Sequence, residues 1–408
     1  MTMIMHVRRP SVTTAITILL VVAISGFLTL GIFTVELRFL SMVKSCARFQ
    51  KCPSEHNANS TTRVHQPQYA FKASASAPGT IKGIKSPKSP MYMQLREELG
   101  DVCEEGDIDR GCYCRKGLNT YPPEIKLLNE EILRMRGCKK RRPDVIIPGS
   151  MKSGTTALKA YLELHPAISF PLTELHFANH HLTYEYDAYA DVMPYSTPDQ
   201  IAIEKTAGYF IRIPIAKRLR KAMPDTKFII ILREPINRAV SNYMHMVARN
   251  EYHEIHIQEN TSAPQYEIKS TFRESVLFPN GGLKVANRLL DSSRYVKYLT
   301  QWYNIFPREH ILILDGEEFI MDPTPVLQQV EGFLGIDRYF DDTKFYFNET
   351  KGFICLRDPF EMCMRSNKGR QHEFVNDDLM KKLQDHFRPF NRQLVKVLGR
   401  ELSWTNAY

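Results

Sequence analysis

Pro148-Gly149-Ser150-Met151-Lys152-Ser153-Gly154-Thr155-Thr156-Ala157-Leu158 decides how this chain is read. Val145-Ile146-Ile147 leads in, and an amphipathic run from Ala157 to Leu164 leads out. The pattern predicts strand, glycine-bearing turn, helix. Such a turn presents backbone N–H groups at a helix N-terminus, where an anion is favoured. Lys152 adds a point charge, and Ser153, Thr155 and Thr156 add hydroxyls beside Gly154. The spacing is not that of the triphosphate loop, which needs Lys-Ser/Thr directly after its second glycine. Here Thr155 follows Gly154, and Lys152 lies between the two glycines. An ordinary strand–helix turn with a solvated lysine would satisfy the same local pattern, so the rest of the chain must decide.

The chain has 408 residues and a formal net charge of +9. That length accommodates two or three domains, or one large domain with non-globular parts, and the composition favours the second. A basic balance points to an acidic partner: nucleic acid, an anionic membrane or an anionic polymer. Ser11 to Val35 contains no charged residue. A run of that length, at ~1.5 Å per residue, crosses a ~30 Å hydrocarbon core. Arg8 and Arg9 precede it, and Glu36 and Arg38 follow it. The positive-inside rule then leaves a short cytosolic tail and sends everything after Val35 to the lumen. A cleaved signal peptide is the alternative; the length of the run and the lack of a clear small-x-small site favour a retained anchor.

Eight cysteines, Cys46, Cys52, Cys103, Cys112, Cys114, Cys138, Cys355 and Cys363, suit a lumenal, disulfide-forming setting. Cys355 and Cys363 enclose a short loop and are expected to pair; the other six are left unassigned. Cys112-Tyr113-Cys114 is too tight for a zinc knuckle, and no histidine lies near it. Asn59, Asn260 and Asn348 head glycosylation sequons.

In order, residues 1–10 read as a cytosolic tail, 11–35 as a transmembrane signal anchor, 36–140 as a lumenal stem and cysteine-bearing collar, and 141–408 as the globular domain. Pro53 to about Met91 is rich in Ser, Thr, Pro and Lys and cannot bury enough apolar surface to order itself. In the collar, Pro123 to Met135 reads as a helix. From Asp144 onward strands and helices alternate. The strands are Val145–Ile147, Ile168–Phe170, Ile201–Ile203, Lys227–Leu232 and His310–Leu314. The helices are Thr155–Leu164, Ile213–Ala222, Arg238–Val247, Val296–Ile305 and Thr324–Leu334. The expected fold is α/β, a P-loop-like parallel sheet flanked by helices, with ligands at the carboxyl ends of the strands.

A second stretch, Phe228-Ile229-Ile230-Ile231-Leu232-Arg233-Glu234-Pro235-Ile236-Asn237-Arg238-Ala239-Val240-Ser241-Asn242-Tyr243, is an apolar strand ending on Arg233, then a helix from near Asn237. Arg233 and the Ser241 hydroxyl could converge on a second phosphate. The alternative is that Arg233 pairs with a carboxylate such as Glu234.

Taken together, K-S-G-T-T at Lys152–Thr156 and R-x-P-x-x-R-A-x-S-x-Y at Arg233–Tyr243 resemble the two nucleotide-binding boxes of the sulfotransferase family. The resemblance implies 3′-phosphoadenosine 5′-phosphosulfate as donor, with Lys152, Ser153, Gly154, Thr155 and Thr156 at the 5′-phosphosulfate and Arg233 and Ser241 at the 3′-phosphate. Anchor and stem make the chain similar to Golgi carbohydrate sulfotransferases. The similarity extends over about 265 residues from Asp144. Glu204-Lys205-Thr206-Ala207-Gly208-Tyr209-Phe210 is similar to a segment of heparan sulfate sulfotransferases. So is Phe345 to Cys355 with Cys363 and Lys368-Gly369-Arg370. In that family the two cysteines are bonded and the K-G-R loop closes over the donor. Arg388-Pro389-Phe390-Asn391 also matches, although that segment with a following Trp404 occurs in chondroitin-type 6-O enzymes too. Glu174-Leu175-His176-Phe177 resembles the segment of the heparan sulfate 3-O-sulfotransferases whose glutamate is the catalytic base.

The chemistry is consistent with these residues. A sugar hydroxyl needs a base, and Glu174 can take its proton. Lys152 can neutralise the oxygen joining sulfate to phosphate, and Lys205 lies near the same place. His176 would orient Glu174 or bind substrate, with Thr206 and Arg212 on the acceptor side. Three positions depart from the 3-O pattern: Thr156 stands where that family has arginine, Leu175 where it has proline and Asn179 where it has aspartate. N-sulfation of glucosamine and 6-O-sulfation of a chondroitin-type chain are therefore the rival activities. A kinase lacks its Lys-Ser/Thr ending and magnesium aspartate, and a silent heparin-binding protein would not need Lys152, Glu174, Lys205, Arg233 and Ser241 intact.

An anionic glycan needs a basic cleft, for which Arg212, Lys217, Arg218, Arg220, Lys221, Lys368 and Arg370 are candidates. Lys139-Lys140-Arg141-Arg142 looks like a nuclear signal, but on the lumenal side it is an approach to the domain or a glycan contact. The expected partners are thus heparan sulfate and, through one helix, the membrane, with no nucleic acid. No metal is required. The location is the Golgi membrane, type II.

Overall fold

The apolar runs that follow Asp144 become the strands of one parallel sheet, with helices on both faces. The structure is a computed structural model; it describes residues 102–116, 123–180, 188–248, 266–363 and 375–408. In chain order the strands are β1 (Ile108–Asp109), β2 (Tyr113–Arg115), β3 (Ile125–Leu127), β4 (Lys139–Lys140), β5 (Val145–Gly149), β6 (Ile168–Ser169), β7 (Tyr195–Ser196), β8 (Ile201–Lys205), β9 (Lys227–Leu232), β10 (Ile311–Asp315), β11 (Phe345–Asn348) and β12 (Phe353–Leu356).

The central sheet has the order β10-β9-β5-β8-β6, and each of its pairs is parallel. Alternate residues of its strands face opposite sides. Ile146, Phe228, Ile230 and Leu232 pack with helices Ile213–Ala222 and Tyr295–Ile305. Val145, Ile147, Ile229 and Ile231 pack with helices Thr155–Leu162 and Pro323–Leu334. Both faces are covered, which is why the strands read as unbroken apolar runs. After β5 the chain runs to the edge strand β6 and returns to β8 beside β5, then crosses to the other side and builds outward through β9 and β10. The order reverses at β5, so the crevice for a ligand opens at its carboxyl end. The loop that carries Lys152 begins there.

Several elements differ from expectation. Only Glu130–Met135 of the collar helix forms. Ile125–Leu127 instead pairs antiparallel with Tyr113–Arg115, and Asn129 accepts the Ile132 N–H to cap a shorter helix. Pairing with a neighbouring strand overrides local helical preference there. The disulfides Cys103–Cys114 and Cys112–Cys138 tie this collar, and Cys355–Cys363 pairs as expected. The helix after β9 starts at Pro235, earlier than read, because Glu234 caps it by accepting the N–H groups of Ile236 and Asn237 at 2.9 and 2.6 Å. A helix Asp377–Leu398, with Pro389 inside it, was not foreseen. It buries Leu383, Phe387 and Leu394, and carries the Arg388–Asn391 segment.

Among the described residues no helix is long and apolar enough to cross a membrane. The anchor expected at 11–35, the stem, Cys46, Cys52, Asn59, Asn260 and Lys368-Gly369-Arg370 lie outside the described residues.

Candidate active site at the carboxyl ends of the central strands

The loop after β5 is shaped by close approach. Gly149 sits at φ 152°, and a Cβ there would lie 2.8 Å from Phe210 Cβ and 2.9 Å from the Ala207 carbonyl oxygen. No other residue fits without displacing one of them. Ser150 N–H donates to the Ile231 carbonyl of β9 at 2.9 Å, and Phe210 N–H, from the segment after β8, to the Pro148 carbonyl at 2.8 Å, so the loop is anchored from both sides. Gly316, just past β10, closes the cradle from the far side: a Cβ there would lie 2.7 Å from the Leu232 carbonyl oxygen and 2.9 Å from that of Ser153. Helix Thr155–Leu162 begins after Gly154, at φ 103°, and no side chain caps its first turn. Its leading N–H groups therefore suit an anion rather than an internal partner.

Two non-glycine residues among those described have positive φ: Lys152 at 71° and His176 at 51°. Such conformations cost free energy and concentrate at functional sites. Both belong to the residues singled out in the sequence. The loop hydroxyls divide. Ser153 is wholly buried and donates to the Ser150 hydroxyl at 3.2 Å; Thr155 is buried at the helix start; Thr156 is half-buried.

Arg233 leaves the end of β9. Its partner is Glu317, with Nε 3.1 Å from Oε1, and not Glu234. Glu234 is occupied by the helix N-terminus and by the Tyr408 hydroxyl, which donates to it at 2.6 Å. Burial pushes the Glu234 carboxyl above its ordinary range. The Tyr295 hydroxyl donates to the Arg233 carbonyl at 2.7 Å and fixes the backbone. Ser241 is half-buried on helix Pro235–Ala248, while Arg238 on that helix is wholly buried and donates to Ser293 and to the Leu289 carbonyl. The second box thus mixes site-facing and structural residues.

The other half of the site lies one strand over. β8 ends on Lys205, in register with Ile147 of β5. Lys205 is 5 % exposed and ion-paired with Glu174. The second oxygen of Glu174 accepts the Ala207 N–H at 3.3 Å and lies 3.8 Å from His176 Nε2. Thr206 braces the same loop: its hydroxyl accepts the His176 N–H at 3.2 Å and donates to the buried Glu204. Burial pushes Glu204 up to about 7, with the Glu174 charge adding in the same direction. Arg212 donates to Asn179 Oδ1 at 3.0 Å, and Asn179 Nδ2 lies 3.3 Å from His176 Nδ1.

Sequence-distant segments are thereby brought together: Glu174 and His176 with Lys205, Thr206 and Arg212, joined to the start of the Lys152 loop where Ala207 packs on Gly149. Glu317, Tyr295, the Ala207 N–H and Glu204 were not singled out as site groups. Glu317 is found only through the register Asp315↔Leu232, which sets the end of β10 beside Arg233. Of the basic-cleft candidates, Arg218 donates to the Ala178 carbonyl at 2.9 Å and Arg220 to the Pro224 carbonyl at 2.7 Å, while Lys217 and Lys221 are exposed. Arg141 holds Ser196 and Thr197 at β7, so that basic run is partly structural. Asn348 ends β11 half-buried, with its Nδ2 3.8 Å from Cys363 Sγ.

The family model described as "Sulfotransferase domain" matches residues 142–403. The chain belongs to the sulfotransferase family. It is a sulfotransferase. It is similar to heparan sulfate glucosamine 3-O-sulfotransferase 5 of Homo sapiens, 34 % identical over 281 residues, covering 68 % of this chain and 78 % of that one. Heparan sulfate glucosamine 3-O-sulfotransferase 6 of Homo sapiens is 32 % identical over 270 residues, covering 65 % and 75 %. Among solved structures, the sulfotransferase from Alicyclobacillus acidocaldarius aligns over 65 % of this chain and 99 % of that chain, at 24 % identity and a TM-score of 0.47.

Proposed function

We propose that this sulfotransferase transfers a sulfuryl group from 3′-phosphoadenosine 5′-phosphosulfate to the 3-OH of a glucosamine in heparan sulfate. Its domain, residues 141–408, would face the Golgi lumen on a stem and a type II anchor at residues 11–35. The relatives named above support the acceptor, and the charge-free run Ser11–Val35 supports the anchor.

The observation that carries the reading is Ala207. Its N–H holds Glu174, and its carbonyl packs where Gly149 has no Cβ. A proton-accepting carboxylate and an anion-binding loop thus share one residue. The cradle fits the donor: glycines at 149 and 316 let backbone approach, the helix start is uncapped, and Lys152 and Arg233 supply positive charge. The donor, once bound, supplies a sulfate activated by its bond to phosphate. Lys152 to Thr156 would hold its 5′ end, and Arg233 with Ser241 its 3′-phosphate. Glu174 takes the proton of the attacking hydroxyl. Lys205 and the Ala207 N–H hold the two carboxylate oxygens and so aim it. Lys152 offsets negative charge at the loop as it develops. Arg212 and His176 line the acceptor side, and Thr206, expected there from the sequence, is instead fully buried and braces the loop from behind.

The test is to incubate the full chain with sulfur-labelled donor and a panel of desulfated heparin, heparan and chondroitin chains. Label on heparan chains, mapped to the glucosamine 3-OH by disaccharide analysis, is expected. No label on any chain removes the enzyme reading. Label at the amino group or a 6-OH instead removes the 3-O assignment, and Thr156, Leu175 and Asn179 are the positions that would then explain it.

A further inference from the structure

Asn179 links two groups of unequal hydrogen-bonding character, and that inequality sets the state of a third. Arg212 can only donate. Its Nη1 lies 3.0 Å from Asn179 Oδ1, so the carbonyl end of the amide is committed to the guanidinium. The amide orientation therefore follows from chemistry and not from the fitting of similar atoms. The other end, the NH2, faces His176 Nδ1 at 3.3 Å. An amide NH2 has nothing with which to accept, so Nδ1 must be the acceptor. A neutral imidazole that accepts at Nδ1 carries its proton at Nε2.

We propose that Asn179 is a positioning residue that fixes the tautomer of His176, so that the ring turns an N–H toward the catalytic carboxylate. Nε2 lies 3.8 Å from Glu174 Oε2, too far for a hydrogen bond as it stands and close enough to become one with a small ring rotation. The opposite tautomer would set the Nδ1–H against the NH2 of Asn179 and a bare lone pair against the carboxylate, repelling at both ends. The backbone of His176 is held independently, by its N–H on Thr206 and its φ of 51°, so Asn179 acts on the ring and not on the chain that carries it. Glu174 then has three donors around it: Lys205, the Ala207 N–H and His176 Nε2–H. The inference rests on the reading of Glu174 as the base.

The decisive measurement is the ring of His176 itself. The full chain is labelled with nitrogen-15 in histidine alone, and long-range proton–nitrogen correlations are recorded without substrate. His176 is identified by the pattern that disappears in His176→Gln. The expected pattern has a protonated Nε2 and a bare Nδ1. Asn179→Asp is nearly isosteric; it keeps an oxygen for Arg212 and offers a second to the ring, so the proton should move to Nδ1. Asn179→Ala removes the lock, should show both tautomers, and should lower kcat about tenfold with KM for donor and acceptor changed no more than about twofold. A proton on Nδ1 in the parent protein, or an unchanged ring pattern in Asn179→Asp, would overturn the inference, as would a loss confined to KM in Asn179→Ala. The spectrum needs no turnover, so a protein that transfers no sulfate would overturn the proposed function while the ring pattern still decided the tautomer.

Discussion

The donor loop and the acceptor segment occupy adjoining strand ends, and they are built by different means. The loop after β5 is made of backbone: Gly149 and Gly316 admit close approach, and Ser150 and Phe210 anchor it through main-chain bonds. Its buried hydroxyls, such as Ser153, serve the fold. The acceptor side is made of side chains. Glu174, His176, Asn179, Lys205 and Arg212 form a connected set of polar contacts across three segments. Backbone cradles tolerate no added atom, whereas side-chain constellations tolerate no change of donor or acceptor character. The first should fail in stability and the second in turnover.

The largest expected effect falls on the acceptor side. Glu174→Gln keeps shape and removes the base, so kcat should fall about 10²- to 10⁴-fold while the thermal midpoint and donor affinity hold. Retained turnover would take Glu174 out of the reaction and leave the side-chain half without a chemical role. Next is Gly149→Ala, a change of one methyl in the backbone half. It meets Phe210 and Ala207 at under 3 Å and at an unfavourable φ, and should cost about 3 kcal/mol of stability. An unaltered unfolding midpoint would show that the loop is softer than described.

Between the halves sits Glu204, wholly buried behind Thr206. Its folded value of about 7 lies above the ordinary 4.5. The folded state therefore binds the proton more tightly. This group's contribution to stability is complete below about pH 4.5 and is lost as pH rises through about 7. Glu204→Gln should flatten that part of a denaturant-midpoint profile between those values. A profile that keeps its slope in the variant would assign the slope to other groups. The smallest effect belongs to Glu317→Gln. Removing the carboxylate that neutralises Arg233, in a pair that is partly exposed, should tighten binding of the desulfated nucleotide about two- to fivefold by calorimetry. Weaker binding would mean that Glu317 aims Arg233 more than it competes for it.

Much of the scaffold is legible in the sequence. Lys227–Leu232 is a strand over the whole range expected, because six apolar or stem-burying residues in a row suit a sheet covered on both faces. Ile213–Ala222 is likewise the helix its periodicity predicted. The failures have physical causes. Ile125–Leu127 was drawn into a sheet by Tyr113–Arg115, a partner that local preference does not register. Asp377–Leu398 is hard to read from sequence although its apolar stripe is pronounced, because Pro389 stands inside it and its other face is polar. Within the second box, Arg233 and Arg238 look alike in sequence, yet one faces Glu317 at the site and the other is sealed against Ser293.

The sequence by itself determined the kind of anion cradle, the strand on which it opens and the residue types available for proton transfer. These are local properties: glycine placement, apolar periodicity and the chemistry of single side chains. Only the tertiary structure decided which groups meet. Parallel register set Lys205 beside the entry to the loop, sheet order brought Glu317 to Arg233, and the short helix Phe177–His180 set Asn179 between Arg212 and His176. Contact between residues far apart in the chain depends on how strands are ordered and shifted, and the long-range packing that fixes that order is not contained in any short run of sequence.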